Sequence, residues 1–202
     1  MSHPRGHHGR YGNPADLDRM IARQLAPGRA AWQKPDRVIR AVGIERGHVV
    51  ADVGAGPGFF TLRLARAVGP GGHVFAVDPE PVVLERLRGR LAVARARNVT
   101  PVMGLAGDPL LPARSCDVAL IVDAYHHFSD GAGFLRRLAR ALRPGGLLVN
   151  IDFDKRETPV GPPVEHRIAR EDFLKHATRA RLTLVAEHRF LPYQYFLVFR
   201  PR

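Results

Sequence analysis

From residue 48 onward, the chain alternates short apolar runs with segments whose apolar side chains recur every three or four positions. This alternation is typical of an α/β fold built on a mainly parallel sheet. The apolar runs are 48–52, 73–77, 99–103, 118–122 and 147–153, and helical spacing is found at 59–68, 83–94, 134–142 and 171–180. Two further runs at 181–190 and 193–199 are separated by only two residues, which favours an antiparallel hairpin. The pattern therefore predicts a seven-stranded, mainly parallel sheet that ends in a hairpin.

The length of 202 residues and the apolar fraction of 45% suit one domain with a proper core. We expect residues 48–202 to form this domain, residues 14–47 to form a helical cap, and residues 1–13 to be a flexible tail. Two helices are predicted within the cap, at about 15–25 and 35–42. No apolar run is long enough to span a membrane, and the polar N-terminus does not look like a secretory signal, so a cytoplasmic location is predicted.

The chain is strongly basic, with 31 Lys and Arg against 19 Asp and Glu and a net charge of +12. Such a charge is typical of proteins that bind nucleic acid, since Lys and Arg neutralise phosphates. The basic residues are nearly all Arg, and they recur along the polar sides of predicted helices. Solvated helix faces account for this distribution, so the sequence disfavours a nucleic-acid partner.

A single cysteine, Cys116, rules out a disulfide framework and a cysteine-rich zinc site within one chain. No metal site is predicted.

A glycine-rich segment follows the first predicted strand, where residues 52–58 read D-V-G-A-G-P-G. Glycines at 54, 56 and 58 allow a sharp turn and a close approach of the backbone to a ligand. The helix that begins after them offers unpaired N–H groups. The dinucleotide fingerprint G-x-G-x-x-G is not matched, because its third glycine would fall on Phe59.

This arrangement resembles motif I of the class I S-adenosylmethionine-dependent methyltransferases, in which an acid stands two residues before the first glycine. The segment 142–146, L-R-P-G-G, and the closing hairpin are also similar to this family. The likeness covers roughly residues 35–200 and is greatest to the small-molecule branch, which includes ubiquinone and menaquinone C-methyltransferases and other type 11 enzymes. It implies a Rossmann-like doubly wound fold and S-adenosyl-L-methionine as the cofactor.

The resemblance also implies which residues bind the cofactor. Asp78, which ends the second strand with Pro79, would accept the ribose hydroxyls, and Asp108 with Gly107 would contact the adenine. Each has an alternative: Asp78 could cap a helix that starts at Pro79, and Asp108 could simply stabilise a turn. The full set implied for the cofactor is Asp52, Gly54, Ala55, Gly56, Gly58, Asp78, Pro79, Gly107, Asp108 and Asp123.

Candidates for the chemistry follow the fourth strand, because ligands of doubly wound folds lie at the carboxyl ends of the strands. Residues 123–128 read D-A-Y-H-H-F and bring a carboxylate, a phenol and two imidazoles to this place. His126 or His127 could remove a proton from the acceptor, since imidazole exchanges protons near neutral pH. Either could instead pack against the cofactor. Asp123 and Tyr125 complete the predicted catalytic set.

The function favoured by these features is methyl transfer to a small-molecule acceptor. An RNA- or DNA-modifying methyltransferase is the first alternative, although the N-P-P-Y type segment and the cysteine pair of such enzymes are missing. A non-catalytic protein that binds the cofactor is the second. The sequence does not determine the acceptor, the atom methylated or the oligomeric state.

Overall fold

The computed structural model describes residues 14–128 and 130–202, so the predicted tail at residues 1–13 lies outside the described residues. Three helices come before the first strand, and strands and helices alternate after it. In chain order the elements are α1 (Pro14–Gln24), α2 (Arg29–Gln33), α3 (Pro35–Val42), β1 (Val49–Val53), α4 (Thr61–Val68), β2 (His73–Asp78), α5 (Pro81–Ala94), β3 (Val99–Met103), β4 (Cys116–Val122), α6 (Gly131–Ala141), β5 (Leu142–Phe153), α7 (Arg170–Arg179), β6 (Leu182–His188) and β7 (Gln194–Pro201).

The seven strands form one sheet in the order β3-β2-β1-β4-β5-β7-β6. Strands β1 to β5 pair in parallel, and β7 pairs antiparallel with both β5 and β6. The prediction of a mainly parallel, doubly wound sheet that ends in an antiparallel hairpin is confirmed. We call the side of the sheet where β1 to β5 end the carboxyl edge, and the side where they begin the amino edge.

Helices cover both faces of the sheet, which explains why the central strands are apolar at nearly every position. On one face, Val38 of α3 and Leu64 of α4 pack against Val50 and Val149. On the other face, Leu135 of α6 and Phe173 of α7 belong to a second core. Each large side chain buried in this way stabilises the fold by about 1.5 to 3 kcal/mol.

The segment before β1 holds α1, α2 and α3, and α2 was not predicted from the sequence. Because α3 packs in the same core as α4, this part of the segment is joined to the sheet. The boundary between a cap at 14–47 and a domain at 48–202 stays a prediction. Among the described residues, no helix combines the length and the apolar character needed to cross a membrane.

Candidate active site

The loop between β1 and α4 has glycine at three positions where the backbone has a positive φ, and Gly58, with a φ of 90°, is the last of them. Gly54 has a φ of 75°, and a Cβ added there would lie 2.3 Å from the Cβ of Ala124. Gly56 has a φ of 55°. The N–H groups of Gly54 and Ala55 donate to the carbonyl of Val77, at 2.8 and 3.0 Å. The loop is thus held against the ends of β2 and β4, with no room for side chains at its glycines.

Asp78 ends β2 and hydrogen-bonds to this loop. Its Oδ2 accepts the N–H of Gly56 at 2.9 Å, and its Oδ1 accepts the N–H of Glu80 at 3.0 Å. Burial raises the pKa of Asp78 to about 6, although these two hydrogen bonds favour the ionised form. Helix α5 begins at Pro81 with Glu80 in the capping position, so Asp78 is not its N-cap. Each carboxylate oxygen keeps a lone pair with which to accept a further hydroxyl.

Asp52 lies beneath the loop, near the end of β1, and is almost fully buried. Its Oδ2 accepts a hydrogen bond from the hydroxyl of Thr61 at 2.6 Å. Burial raises the pKa of Asp52 to about 6, while the Thr61 hydroxyl and the charge of Arg29 oppose that rise. The contact ties β1 to the first turn of α4 and so fixes both ends of the glycine loop.

Asp108 follows β3 and is more exposed than the other acids, with 41% of its side chain accessible. Its Oδ1 accepts the N–H of Leu110 at 2.9 Å, which is the turn contact that the sequence offered as an alternative. Arg137 lies beside it, with Nε 3.7 Å from the Asp108 carboxylate, and donates to the carbonyl of Gly107 at 3.0 Å. Pro79 is half-buried between Asp78 and Glu80.

Four polar side chains close a ring of hydrogen bonds that joins α2 to the residue after β4 and to the start of β7. Arg29 donates from Nη2 to Asp123 at 3.1 Å and from Nε to Gln33 at 2.8 Å. The Gln33 amide donates to Gln194 at 2.8 Å, and the Gln194 amide donates to Asp123. Burial raises the pKa of Asp123 to about 7, against the pull of the Arg29 charge. Arg29, Gln33 and Gln194 were not predicted from the sequence, since single polar residues in helical or apolar runs carry no periodic signal.

The same part of the chain covers the glycine loop. The Arg29 guanidinium lies over the ring of Phe59, 4.3 Å from its centroid, and donates to the carbonyl of Gln24 at 3.0 Å. The side-chain oxygen of Gln24 lies 2.6 Å from where a Cβ at Gly56 would stand. The end of α1 and the start of α2 therefore rest directly on the loop.

His126 forms a close pair with a buried carboxylate at the end of β5. Its Nδ1 lies 3.2 Å from both carboxylate oxygens of Asp152, which is fully buried. The Asp152 Oδ1 also accepts the N–H of Phe153 at 2.9 Å. The ring of His127 lies next to that of His126, with 4.2 Å between centroids. A carboxylate on Nδ1 selects the tautomer in which Nε2 exchanges the proton.

Tyr125 lies in the core between β4 and α7. Its hydroxyl is 2.8 Å from Nδ1 of His176, its ring is 4.5 Å from that of Phe173 between centroids, and it is only 1% exposed. Burial raises the pKa of Tyr125 well above its ordinary value. Residues 125–127 form one 3-10 turn, which sends successive side chains about 120° apart. Tyr125 thus turns away from the His126–Asp152 pair, and its catalytic role stays a prediction without support from this placement.

Aromatic side chains meet beside this pair, at the ends of α2 and β5. The ring of Trp32 is 5.6 Å from Phe153 and 6.1 Å from Tyr193, measured between centroids. Trp32 keeps part of its surface exposed. The contact explains how α2 is held over the end of β5.

Buried Arg167 organises the loop that follows β5. Its guanidinium donates to the backbone carbonyls of Asp154, Arg156 and Pro162 at 3.0, 2.7 and 2.8 Å. It also lies 5.0 Å from the centroid of the Phe153 ring. The loop therefore has a defined shape where it borders the carboxyl edge.

Comparison with known proteins agrees with this geometry. Residues 50–146 match the model of a family described as a methyltransferase domain. A demethylmenaquinone methyltransferase of Tropheryma whipplei is 35% identical over 133 residues, which is 66% of this chain and 52% of that protein. The chain therefore spans about half the length of this relative.

Two solved structures share the fold. A SAM-dependent methyltransferase from Aquifex aeolicus superposes with a TM-score of 0.85 at 24% identity, covering 93% of this chain and 97% of that one. The 4+2 cyclase SpnF superposes with a TM-score of 0.77 at 17% identity, covering 96% and 95%. The family match spans β1 to the start of β5, including the glycine loop and Asp78. Residues 50–146 therefore carry the match to a methyltransferase domain, and the chain as a whole shares the fold of a SAM-dependent methyltransferase.

Proposed function

We propose that this protein transfers a methyl group from S-adenosylmethionine to a small-molecule acceptor. The observation that carries the proposal is that the glycine loop, bonded to Asp78, and the His126–Asp152 pair lie at the same edge of one sheet. The glycine loop with Asp78 suits a nucleoside ligand, and the His126–Asp152 pair suits removal of a proton from the acceptor. The relative named for demethylmenaquinone methylation supports an acceptor of small-molecule type.

The residues of the carboxyl edge fit this cofactor. The loop at Gly54, Gly56 and Gly58 presents backbone without side chains, and Asp78 has acceptor capacity for two ribose hydroxyls. Asp108 and Gly107 are assigned to the adenine end, and Asp123 to the methionine end. Asp52, Ala55 and Pro79 shape the loop and the strand end. When bound, S-adenosylmethionine supplies an electrophilic methyl group.

His126 is assigned the role of general base. The Asp152 carboxylate holds its imidazole in place and stabilises the cation that forms when Nε2 takes a proton from the acceptor. His127 lies against it and is the second candidate. Helix α2, tied down through Arg29 and Asp123, would exclude water from the site while the acceptor is held in line with the methyl group.

Two alternatives remain to be tested against this proposal. A nucleic-acid acceptor is motivated by the net charge of +12. A chemistry other than methyl transfer is motivated by the cyclase that shares the fold. A cytoplasmic location is part of the proposal and agrees with the single, buried, free cysteine at 116.

The decisive experiment combines binding and transfer. Titration calorimetry should detect S-adenosylhomocysteine binding, and Asp78→Ala should weaken it by about tenfold or more, since a hydrogen bond to a charged group contributes about 1.5 to 3 kcal/mol. Labelled S-adenosylmethionine, added with the protein to a cell extract, should then mark a product that survives nuclease and protease. Label found only in nucleic acid would overturn the small-molecule acceptor. Binding without any transfer would overturn the enzymatic assignment.

A further inference from the structure

The excess of arginine gathers at one end of the molecule. In this fold every helix from α3 onward ends close to the start of a following strand, so helix ends and strand starts share the amino edge. Exposed arginines stand at the ends of five helices: Arg40, Arg66, Arg95, Arg140 and Arg179. Basic residues at helix C-termini are favoured by the helix dipole, which explains this group without any ligand.

A second group of arginines does not lie at helix C-termini, so the helix dipole does not explain its position. Four of these exposed arginines come shortly before a strand, namely Arg46, Arg97, Arg114 and Arg181. Arg143 lies at the start of β5, and Arg200 lies near the end of antiparallel β7. Among the described residues within three positions of any of these arginines, the acids are Glu45 and Asp117. Asp117 is already paired with Arg143, at 2.8 Å. The amino edge therefore carries a large uncompensated positive charge.

The two groups meet in space. The N–H of Arg114 donates to the carbonyl of Arg140 at 2.9 Å, and Arg136 donates to the carbonyl of Arg179. The Arg46 guanidinium lies beside Gly69, just after α4. These contacts bring arginines of neighbouring helices and strand connections together at the amino edge.

Two recesses open on this surface and are lined by arginines. The larger has a volume of about 900 Å³ and lies in the groove between α3 and α4. Arg40, Arg46, Arg66 and Glu45 line its end at the amino edge, and Asp36 and Arg63, from the first turns of the two helices, line its other end. The smaller, of about 250 Å³, is lined by Arg114, Arg143, Arg200 and Arg202 without any acid. Among the ion pairs found in the described part of the chain, none involves Arg40, Arg46 or Arg66.

We propose that the amino edge binds the phosphate backbone of a single-stranded nucleic acid. Guanidinium groups recognise phosphate through paired, planar hydrogen bonds, and a flexible strand can enter both recesses. A bilayer is a smooth surface and reaches protruding side chains rather than side chains that line recesses. The observations therefore favour a nucleic acid over an anionic membrane.

This partner is not the methyl acceptor. The candidate active site lies at the carboxyl edge, and strands of five to seven residues separate the two edges by about 15 to 20 Å. The acids Asp78, Asp123 and Asp152 lie at or just after the strand ends of the carboxyl edge. The proposal therefore adds a tethering function to the proposed methyl transfer and does not depend on it.

The test compares two variants of equal net charge. In one, Arg46, Arg66, Arg114 and Arg200 are all changed to Gln, which removes charge from both recesses. In the control, Arg37, Arg86, Arg88 and Arg189, exposed residues outside the recesses, are changed to Gln. Circular dichroism and thermal melting of both variants check that the fold is kept. Fluorescence anisotropy with a labelled oligouridylate measures binding over about 50 to 200 mM salt.

We expect the wild type and the control to bind with a similar, steep salt dependence. The recess variant should bind about tenfold or more weakly at low salt, and its slope of log affinity against log salt should be shallower by about 2.8, since each single-strand phosphate contact contributes about 0.7. Equal loss in the control would overturn the proposal, because net charge alone would then explain binding. Tighter binding to phosphatidylglycerol vesicles than to RNA, or no RNA binding at low salt, would overturn it as well.

Discussion

Nδ1 of His126 lies 3.2 Å from both carboxylate oxygens of Asp152, and Asp152 has no exposed surface. The pair joins the turn after β4 to the end of β5, so it depends on the register of two neighbouring strands. A base whose other nitrogen is bonded to a carboxylate keeps one tautomer and one orientation.

Replacing Asp152 by Asn should therefore lower kcat by about a hundredfold or more, because a positioned base contributes roughly 10² to 10⁴ in rate. His126→Gln should have a similar effect, and the double variant should be little worse than either single one. The rate is measured with the first acceptor identified by labelled methyl transfer, together with its pH profile and the affinity for S-adenosylhomocysteine.

The matched control for this pair is His127→Gln, which leaves the contact between His126 and Asp152 in place. Its kcat should stay within a few-fold of the wild type. A full loss in His127→Gln with little change in His126→Gln would move the base to His127. Unchanged turnover in Asp152→Asn would show that the carboxylate does not position a base.

The choice between the two histidines illustrates what the sequence could not provide. The glycine loop, the acids at the strand ends and the mainly parallel sheet with its closing hairpin were all predicted, because they depend on local patterns and on the topology of parallel sheets. The direction of Tyr125, His126 and His127 depends on a 3-10 turn and on Asp152, which is 26 residues further along the chain. Contacts of this kind arise only when the strands pair.

Helix α2 is the second example. It spans only five residues and carries the unpredicted Arg29 and Gln33, which reach Asp123 and Gln194 across 94 and 161 positions in sequence. The five-residue helix is too short for an amphipathic pattern to be recognised. The arginines at helix ends and strand starts are a third example, because positions far apart in the chain come together there only when the sheet forms.

Gly43 and Gly54 have the same backbone φ. Comparing variants of the two therefore separates the cost of a left-handed conformation from the cost of a clash within the site. Gly43 and Gly54 both have a φ of 75°, but a Cβ at Gly43 meets nothing within 4 Å, whereas a Cβ at Gly54 meets Ala124 at 2.3 Å. Gly43→Ala should cost about 1 to 2 kcal/mol for the left-handed conformation and leave cofactor binding unchanged. Gly54→Ala should destabilise the fold by clearly more than this and abolish the binding of S-adenosylhomocysteine.

Thermal unfolding and calorimetry with S-adenosylhomocysteine measure both effects for the two glycine variants. Equal losses of stability, with binding kept in both, would show that the loop tolerates a side chain at Gly54.

The affinity for the cofactor product should depend on pH through Asp78. The pKa of Asp78 is raised to about 6, so the carboxylate is ionised at pH 7 and mostly protonated at pH 5. A protonated carboxyl accepts hydroxyl hydrogen bonds less well, and affinity should fall by about tenfold between pH 7 and pH 5. The measurement is calorimetry with S-adenosylhomocysteine across this range.

Asp52 provides the control for this pH effect, because its pKa is also raised to about 6 while its hydrogen bond is to Thr61. Asp52→Asn should keep the pH dependence, and Asp78→Asn should remove it together with most of the affinity. A pH dependence that survives in Asp78→Asn would assign the titration to another group.

The pair formed by Arg29 and Asp123 should make stability depend on pH in a defined direction. The pKa of Asp123 is raised by burial to about 7, well above its value in the unfolded chain. The native state therefore holds this proton more tightly, and the Asp123 contribution to stability falls as pH rises from about 4 to about 7 and is constant above that. Arg29 opposes the rise in pKa, so Arg29→Met should shift the pKa of Asp123 further upward and extend the fall in stability beyond pH 7.

The difference in Tm between wild type and Arg29→Met should accordingly grow from pH 6 toward pH 9, on top of a loss that does not depend on pH and comes from the contacts of Arg29 with Gln24, Gln33 and Phe59. Arg37→Met is the matched control, because the Arg37 guanidinium lies 4.2 Å from the ring centroid of Phe190, as that of Arg29 lies 4.3 Å from Phe59. Its effect on Tm should not change with pH. Adding Asp123→Asn to Arg29→Met removes the main titrating group and should reduce the growth to the part that comes from Asp52, whose pKa the Arg29 charge also lowers. If the Tm difference were the same at pH 6 and pH 9, Asp123 would not be the group whose charge Arg29 compensates.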